Sequence, residues 1–218
     1  MKQMDKNEID GANEIAIGGV SYHDIIDCLS GALEAKDEYT KGHASRVADM
    51  VCDVCQILGI KGSVYQQMHM AAHMHDIGKI GVPDEVLSKS DKLTDREWNL
   101  IRQHPTIGYN ILMKAPSLEV IAKMILHHHE RYDGTGYPSR LKARQIPFAA
   151  RVIGICDAID AMTSNRPYRK AMSWKVCKDI VERNSGSQFD PQLVVAIDSL
   201  WEIWQKRDRD LIEHKYRE

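Results

Sequence analysis

No apolar run in this 218-residue chain approaches the roughly 18 residues that a membrane-spanning helix requires. The opening twenty residues, MKQMDKNEIDGANEIAIGGV, carry acids and glycines where a secretory leader needs a continuous apolar stretch. Both absences point to a cytoplasmic protein that engages no membrane. Charge of one sign is missing too. With 29 basic residues against 31 acidic ones, the formal charge is -2, so nothing global recruits DNA, and any anionic ligand must be held locally. Cysteine is sparse and odd in number, five in all, without the density of a secreted disulfide scaffold, so reduced thiols are expected. Cys52 and Cys55 spell C-x-x-C, but they sit inside the apolar helical pattern RVADMVCDVCQIL with no second pair, which reads as core packing. Repeats, low-complexity tracts and strand signals are absent.

Helical signals recur instead. Ser63 with Gln66 and Thr94 with Glu97 are spaced as capping boxes. Ser21, Ser117 and Ser173 are candidate N-caps, and Asp190–Pro191 places proline at the first helical position. Apolar stripes follow at helical spacing: Ile25, Ile26, Leu29 and Leu33; Val47, Val51, Val54 and Leu58; Val64, Met68, Ala71 and Ala72. Later stripes are Val120, Ile121, Met124 and Ile125; Val152, Ile153, Cys156 and Ile159; and Leu193 through Trp204. The expectation is an all-α bundle of about seven to nine helices. Residues 1–20 read as a loose lead-in, 21–204 as one folding unit, and 205–218 as a charged, frayed extension of the last helix.

Histidines and aspartates fall at telling places. Imidazole nitrogen and carboxylate oxygen together suit borderline divalent cations, and several histidines with a bridging carboxylate can hold two. His75 continues the stripe of Val64, Met68 and Ala72 toward the interior, and Asp76 is turned about 100° from it, with Gly78 expected to stop the helix. A metal site and a hydrogen-bonded helix cap both fit that pair. In HHHERYDGTGYP, residues 127–138, His128 lies near the centre of the preceding apolar stripe. His129 is reachable if the helix unwinds, and His127 falls beside the site or in solvent. Two glycines there suit unusual backbone angles and Pro138 stiffens the exit; a plain helix-terminating turn is the alternative. His104, at a junction before Pro105, reads as a satisfied core histidine or an inward-turned ligand. Asp157 and Asp160, one turn apart amid apolar residues, need a partner or a metal. Arg166, Arg169 and Lys170 surround Pro167, as a phosphate clasp or as solvated surface.

Taken in order, DEYTKGHASRV, HDIGKIGVP, LTDREW, QHPTIGYNIL, HHERYDGTGYP, IPFAARVIGICDAIDAMTSNRPYR and FDP resemble the HD-GYP phosphodiesterases, a branch of the HD-domain metal-dependent phosphohydrolases, over about residues 21–200. The resemblance implies a helical bundle that hydrolyses cyclic di-GMP at a centre of two or three metals. It implies ligands at His43, His75, Asp76, His104, His128, His129 and Asp157, with Asp76 bridging; His43 enters by the match alone. Lys79 would lie near the scissile phosphate, although a lysine there also suits a helix dipole, and Arg166 and Arg169 would hold substrate phosphates. Gly136, Tyr137 and Pro138 form the GYP element, where a protein partner of the GGDEF type could dock.

Three positions depart from the pattern. Tyr39 stands where members with a third metal carry glutamate, so two ions are expected: iron or manganese first, with zinc, nickel, magnesium or calcium as other occupants. His73 replaces an aliphatic residue and reads as adjoining the site or as exposed, and Arg140 replaces a frequent glycine. The expected mechanism has two cations about 3.5 to 4 Å apart that acidify a bridging water. The product is pGpG, with GMP after a second cut. Rival expectations are 3′,3′-cyclic GMP-AMP or another phosphoester as substrate, and a non-catalytic nucleotide-sensing adaptor. The leading helix is a candidate homodimer contact.

Overall fold

The computed structural model describes residues 22–37, 41–165 and 169–215, so Ser21, Tyr39, Arg166 and the lead-in lie outside the described residues. The chain runs through α1 (Tyr22–Lys36), α2 (His43–Ile57) and α3 (Gly62–Met74), then a 3₁₀ turn at Ile77–Gly81. Next come α4 (Asp84–Leu87), α5 (Asp95–Ile101), α6 (His104–Leu112) and α7 (Glu119–Leu126). The order ends with α8 (Phe148–Thr163), α9 (Trp174–Arg183), α10 (Pro191–Ala196) and α11 (Trp201–Lys215). Among the described residues there is no named strand, only an isolated bridge between Ser185 and Phe189. The class is all-α, as expected. No helix among them is long and apolar enough to cross a membrane.

Local chemistry explains several helix starts. Thr94 and Glu97 form a reciprocal capping box on α5, satisfying two of the backbone N–H groups that every helix start leaves orphaned. Ser173 accepts from Val176 N–H, and Asp190 accepts from Gln192 N–H ahead of Pro191. Two expected caps are corrected. The chain turns in at Gly62 with φ of 64°, so Ser63 already lies in the first turn of α3 and cannot cap it. Ser117 sits within the 3₁₀ turn Pro116–Leu118, because Pro116 starts the winding early.

The long α8 is buried nearly all round, through Val152, Ile153, Ile155, Cys156 and Ile159, as a helix at the centre of a bundle must be. It packs against α2, α3, α7 and α9. Their inner faces contribute Val47, Val51, Val54, Met68, Ala71, Ala72, Ile121 and Ile125, and Ile197, Leu200, Trp201 and Trp204 close one end. Both cysteines of C-x-x-C belong to the α2 interface, Cys55 fully buried and Cys52 partly. Some stripe positions point outward instead: Ile25, Leu29, Leu58, Val64 and Val120 are exposed. On α1 the inward face is Ile26, Ser30, Leu33 and Asp37, because this helix is covered on one side only, by α3 and the 77–81 turn. At the far end the expected frayed extension continues α11, tied down by Arg207 to Asp53 on α2 and by Asp208 to Trp174.

Candidate metal centre

Five segment ends or middles deliver imidazoles and carboxylates to one place: the start of α2 (His43), the end of α3 (His75, Asp76), the start of α6 (His104), the turn after α7 (His128, His129) and the middle of α8 (Asp157). One local device recurs. A helix leaves its last carbonyls without intrahelical donors, and here a histidine three residues on satisfies one of them. Nδ1 of His75 donates to Ala72 O at 2.7 Å, that of His104 to Ile101 O at 2.8 Å, and that of His128 to Ile125 O at 2.6 Å. With the proton committed to Nδ1, each ring presents the lone pair of Nε2.

Those lone pairs face one another. Nε2 of His104 and Nε2 of His128 are 3.4 Å apart as two opposed acceptors, whereas Nε2 of His43, a ring that Asp157 and Asp160 keep protonated, donates to Nε2 of His75 at 3.2 Å. Two acceptors held in opposition at this range need a positive charge between them. Asp76 lies across both sets: Oδ1 is 3.3 Å from His104 Nε2, while Oδ2 is 3.5 Å from His75 Nε2 and 3.8 Å from His43 Nε2. Asp157 Oδ1 is 3.3 Å from His43 Nε2. Three overlapping groups could each hold a metal ion: His43, His75 and Asp157; His75, Asp76 and His128; His104, His128 and His129. The nitrogen and carboxylate donors fit borderline divalent cations, so the residues present suit the metals that the resemblance implies.

Burial and charge set the protonation states. Burial lowers His104 and His128, and it takes His129 down to about 3, so these rings stay neutral and able to ligate. Burial also opposes charge on His43, but Asp157 and Asp160 outweigh it and raise the ring to about 9. Burial would raise Asp76; Lys79 and three imidazoles outweigh it and hold the carboxyl far below its usual range. Lys79 Nζ sits 2.7 Å from Asp76 Oδ2 and 3.6 Å from Asp37 Oδ2, and these carboxylates overcome burial to keep the amine protonated.

The structure thus gathers His43, His75, Asp76, Lys79, His104, His128, His129 and Asp157. It does not bring in Arg169, whose guanidinium donates to the carbonyl of Ala161 on α8. Two contributors lie outside the ligand set that the resemblance implies: Asp160, which the sequence marked as needing a partner or a metal, and Arg46, which it did not mark. Asp160 accepts from His43 Nδ1 at 2.7 Å, and Arg46 holds Asp160 through Nε at 2.6 Å. Their signals were the position of Asp160 one turn beyond Asp157 and of Arg46 one turn beyond His43. Tyr137 lays its ring 5.0 Å from that of His129, and Arg102 approaches Tyr137 at 5.8 Å, so this side chain packs on the site.

Two readings of the loops change, and a third position is settled. Gly78 does not stop a helix: it lies within the 77–81 turn, where a Cβ would stand 1.8 Å from His104 O and 2.5 Å from Gly108 N. Gly136 is needed for close approach, not for φ, since a Cβ would meet Arg131 N at 2.3 Å. Arg140 keeps the left-handed φ of 55° that glycine favours, so the loop retains that shape without glycine. Beside the cluster lies a cavity of about 220 Å³, bordered by His128, His129, Asp157, Arg131, Arg151 and Gln188.

The sequence pattern of the HD domain matches residues 27–193. A cyclic di-GMP phosphodiesterase of Thermotoga maritima is 36% identical over 175 residues, covering 79% of this chain and 48% of that protein. The cyclic di-GMP phosphodiesterase response regulator RpfG of Xanthomonas campestris is 38% identical over 171 residues, 78% and 45% respectively. A 3′3′-cGAMP-specific phosphodiesterase of Vibrio cholerae is 35% identical over 173 residues, 79% and 38%. The chain therefore spans less than half the length of these relatives. Among solved structures, a cyclic GMP-AMP phosphodiesterase of V. cholerae aligns with a TM-score of 0.63 at 16% identity, covering 82% of this chain and 48% of that one, which speaks to the fold alone.

Proposed function

Because the chain belongs to the HD domain family, matched over residues 27–193, we propose that it is a metal-dependent phosphodiesterase hydrolysing cyclic di-GMP to linear pGpG, with GMP from a second cut. The observation that carries this reading is the opposition of two Nε2 lone pairs 3.4 Å apart, on His104 and His128, neutral rings whose Nδ1 protons are already committed to backbone carbonyls. His43, His75 and Asp157 would hold one cation; His104, His128 and His129 would hold a second; Asp76 would serve both. Iron or manganese is the preferred occupant of such a mixed nitrogen and oxygen set. Bound there, the cations would supply Lewis-acid charge to the phosphoryl oxygens and acidify the attacking water.

The chain's own side chains do the rest. Protonated Lys79, fixed against Asp76, sets positive potential where charge grows on the phosphoryl group. Asp160 and Arg46 hold the ring of His43 in register. Arg169, released from Ala161, and Arg166 are the candidate clamps for the second phosphate. Tyr137 packs its ring against one side of His129.

The test is incubation of manganese- or iron-loaded protein with cyclic di-GMP, followed by chromatography. Formation of pGpG, lost in a His75→Ala, Asp76→Ala double variant, supports the reading; intact substrate overturns it. The 35% identity to a cGAMP-specific relative makes 3′,3′-cyclic GMP-AMP the competing substrate, separated by comparing the two turnover rates. Tight binding without turnover by the loaded protein would favour the adaptor reading.

A further inference from the structure

A second group of donors lies on the opposite flank of α3. His69 and His73 stand one turn apart on that helix, so their rings share a face, whereas His75 is turned about 200° from His73 toward the centre described above. His23 reaches them from α1 and Cys52 from α2. Nε2 of His23 is 2.9 Å from Nε2 of His69, and Nδ1 of His69 is 3.1 Å from Cys52 Sγ. The rings of His69 and His73 are 4.6 Å apart at 83°, and those of His23 and His73 are 6.3 Å apart. His73 is 8% exposed, and its Nδ1 is buried with no hydrogen-bond partner. It is therefore neither exposed nor part of the phosphodiesterase cluster, the two places that the sequence left open for it.

A polar seam that merely joined α1 to α3 would satisfy its buried nitrogens, as nearly all buried polar groups are satisfied. The orphaned nitrogen of His73, beside two further imidazoles and a thiol, breaks that pattern. We propose that His23, His69 and His73, with Cys52 as fourth donor, form an auxiliary site for a late first-row divalent cation of the zinc type. Three imidazoles and one thiolate make a tetrahedral donor set suited to such an ion.

The donors are strung along a line rather than gathered, because His69 turns one nitrogen to His23 and the other to Cys52. Binding thus requires a side-chain rotation, and exposed His23 has room to make it while leaving a path for entry. The thiol proton of Cys52 is released to solvent as the ion binds, while the proton between His23 and His69 shifts to the other nitrogen of its own ring, which leaves both imidazoles neutral and free to ligate. Burial pushes the Cys52 thiol up to about 11, so the thiolate forms with the metal rather than before it. The bound ion would tie α1 to α2 and α3, two residues from His75, and the site stands independently of the phosphodiesterase reading.

Cobalt(II) added to the metal-free full chain tests this, because the phosphodiesterase cluster contains no sulfur. The expected result is a cobalt–thiolate charge-transfer absorption that Cys52→Ser abolishes. The His69→Ala, His73→Ala double variant should bind one cobalt equivalent fewer, and His23→Ala, at an exposed position, should weaken this binding by roughly tenfold or more with the melting transition intact. No thiolate absorption in the unaltered protein, or the same number of equivalents in the double variant, overturns the proposal. Should the double variant fail to fold, unchanged cobalt affinity in His23→Ala overturns it equally.

Discussion

Nδ1 of His43 donates to Asp160 Oδ2 across 2.7 Å, and the same carboxylate takes bonds from Nε and a terminal nitrogen of Arg46 at 2.6 and 3.1 Å. The bidentate arginine leaves Asp160 little freedom, so the ring of His43 inherits its orientation from α8 although it stands on α2. An outer partner that orients a ligand histidine is typically worth about 10- to 100-fold in metal affinity. Asp160→Asn is expected to weaken manganese binding by about that factor, with turnover recovering at high manganese. Equal affinity in a direct titration would show that Asp160 serves the fold alone.

Lys79 borders the same cluster through Asp76. It is nearly buried and 2.7 Å from Asp76, which together with Asp37 keeps it charged. Lys79→Met should lower kcat by about 10²-fold while the bound metal equivalents stay the same. A parallel fall in metal content would instead assign it to holding Asp76 in place.

Gly78 makes a sharp steric prediction. A Cβ there would overlap the backbone of His104 and Gly108 at 1.8 and 2.5 Å, and backbone cannot swing aside as a side chain can. Gly78→Ala is expected to destabilise the protein by about 3 kcal/mol or more, with metal equivalents falling as His104 is displaced. The control is Gly31→Ala on α1, where nothing lies within 4 Å and helix propensity should contribute about 0.5–1 kcal/mol of stability. Urea midpoints decide between them.

Arg140 occupies a left-handed backbone conformation at φ 55°. Replacing it by glycine relieves that strain at some entropic cost, for a net gain of about 0.5–1 kcal/mol. A lower urea midpoint for Arg140→Gly would mean that the arginine side chain makes a contact worth more than the strain.

Acid and base should each destabilise protein stripped of its metals by chelation, through different histidines. His104, His128 and His129 are lowered, His129 to about 3, so below the unfolded value near 6.5 the unfolded chain takes up protons that these rings refuse, and stability falls with pH. His43 is raised to about 9; its contribution is complete below 6.5 and is lost as pH climbs toward 9. The expected urea midpoint therefore peaks near pH 6.5. A midpoint still rising at pH 5 would contradict the neutral burial of the three rings.

Periodicity and end signals made much of this molecule legible in advance. The caps at Thr94, Ser173 and Asp190, the buried stripe of α8 and the inward aim of His128 all follow from residues a few positions apart. Such order is local, since a helix fixes the directions of its own side chains. The need of Asp157 and Asp160 for partners was legible too, because a carboxylate amid apolar neighbours must find compensation. Which partners they find was not. His43 lies 117 positions from Asp160, and no periodicity on α2 marks its ring as the one that α8 will meet. The closeness demanded at Gly78 and Gly136, the outward turn of Ile25 and Leu29, and the departure of His73 to a separate cluster were likewise decided by packing between elements. Tertiary structure alone sets these, because a helix's sequence says which of its faces differ and not what will stand opposite each one.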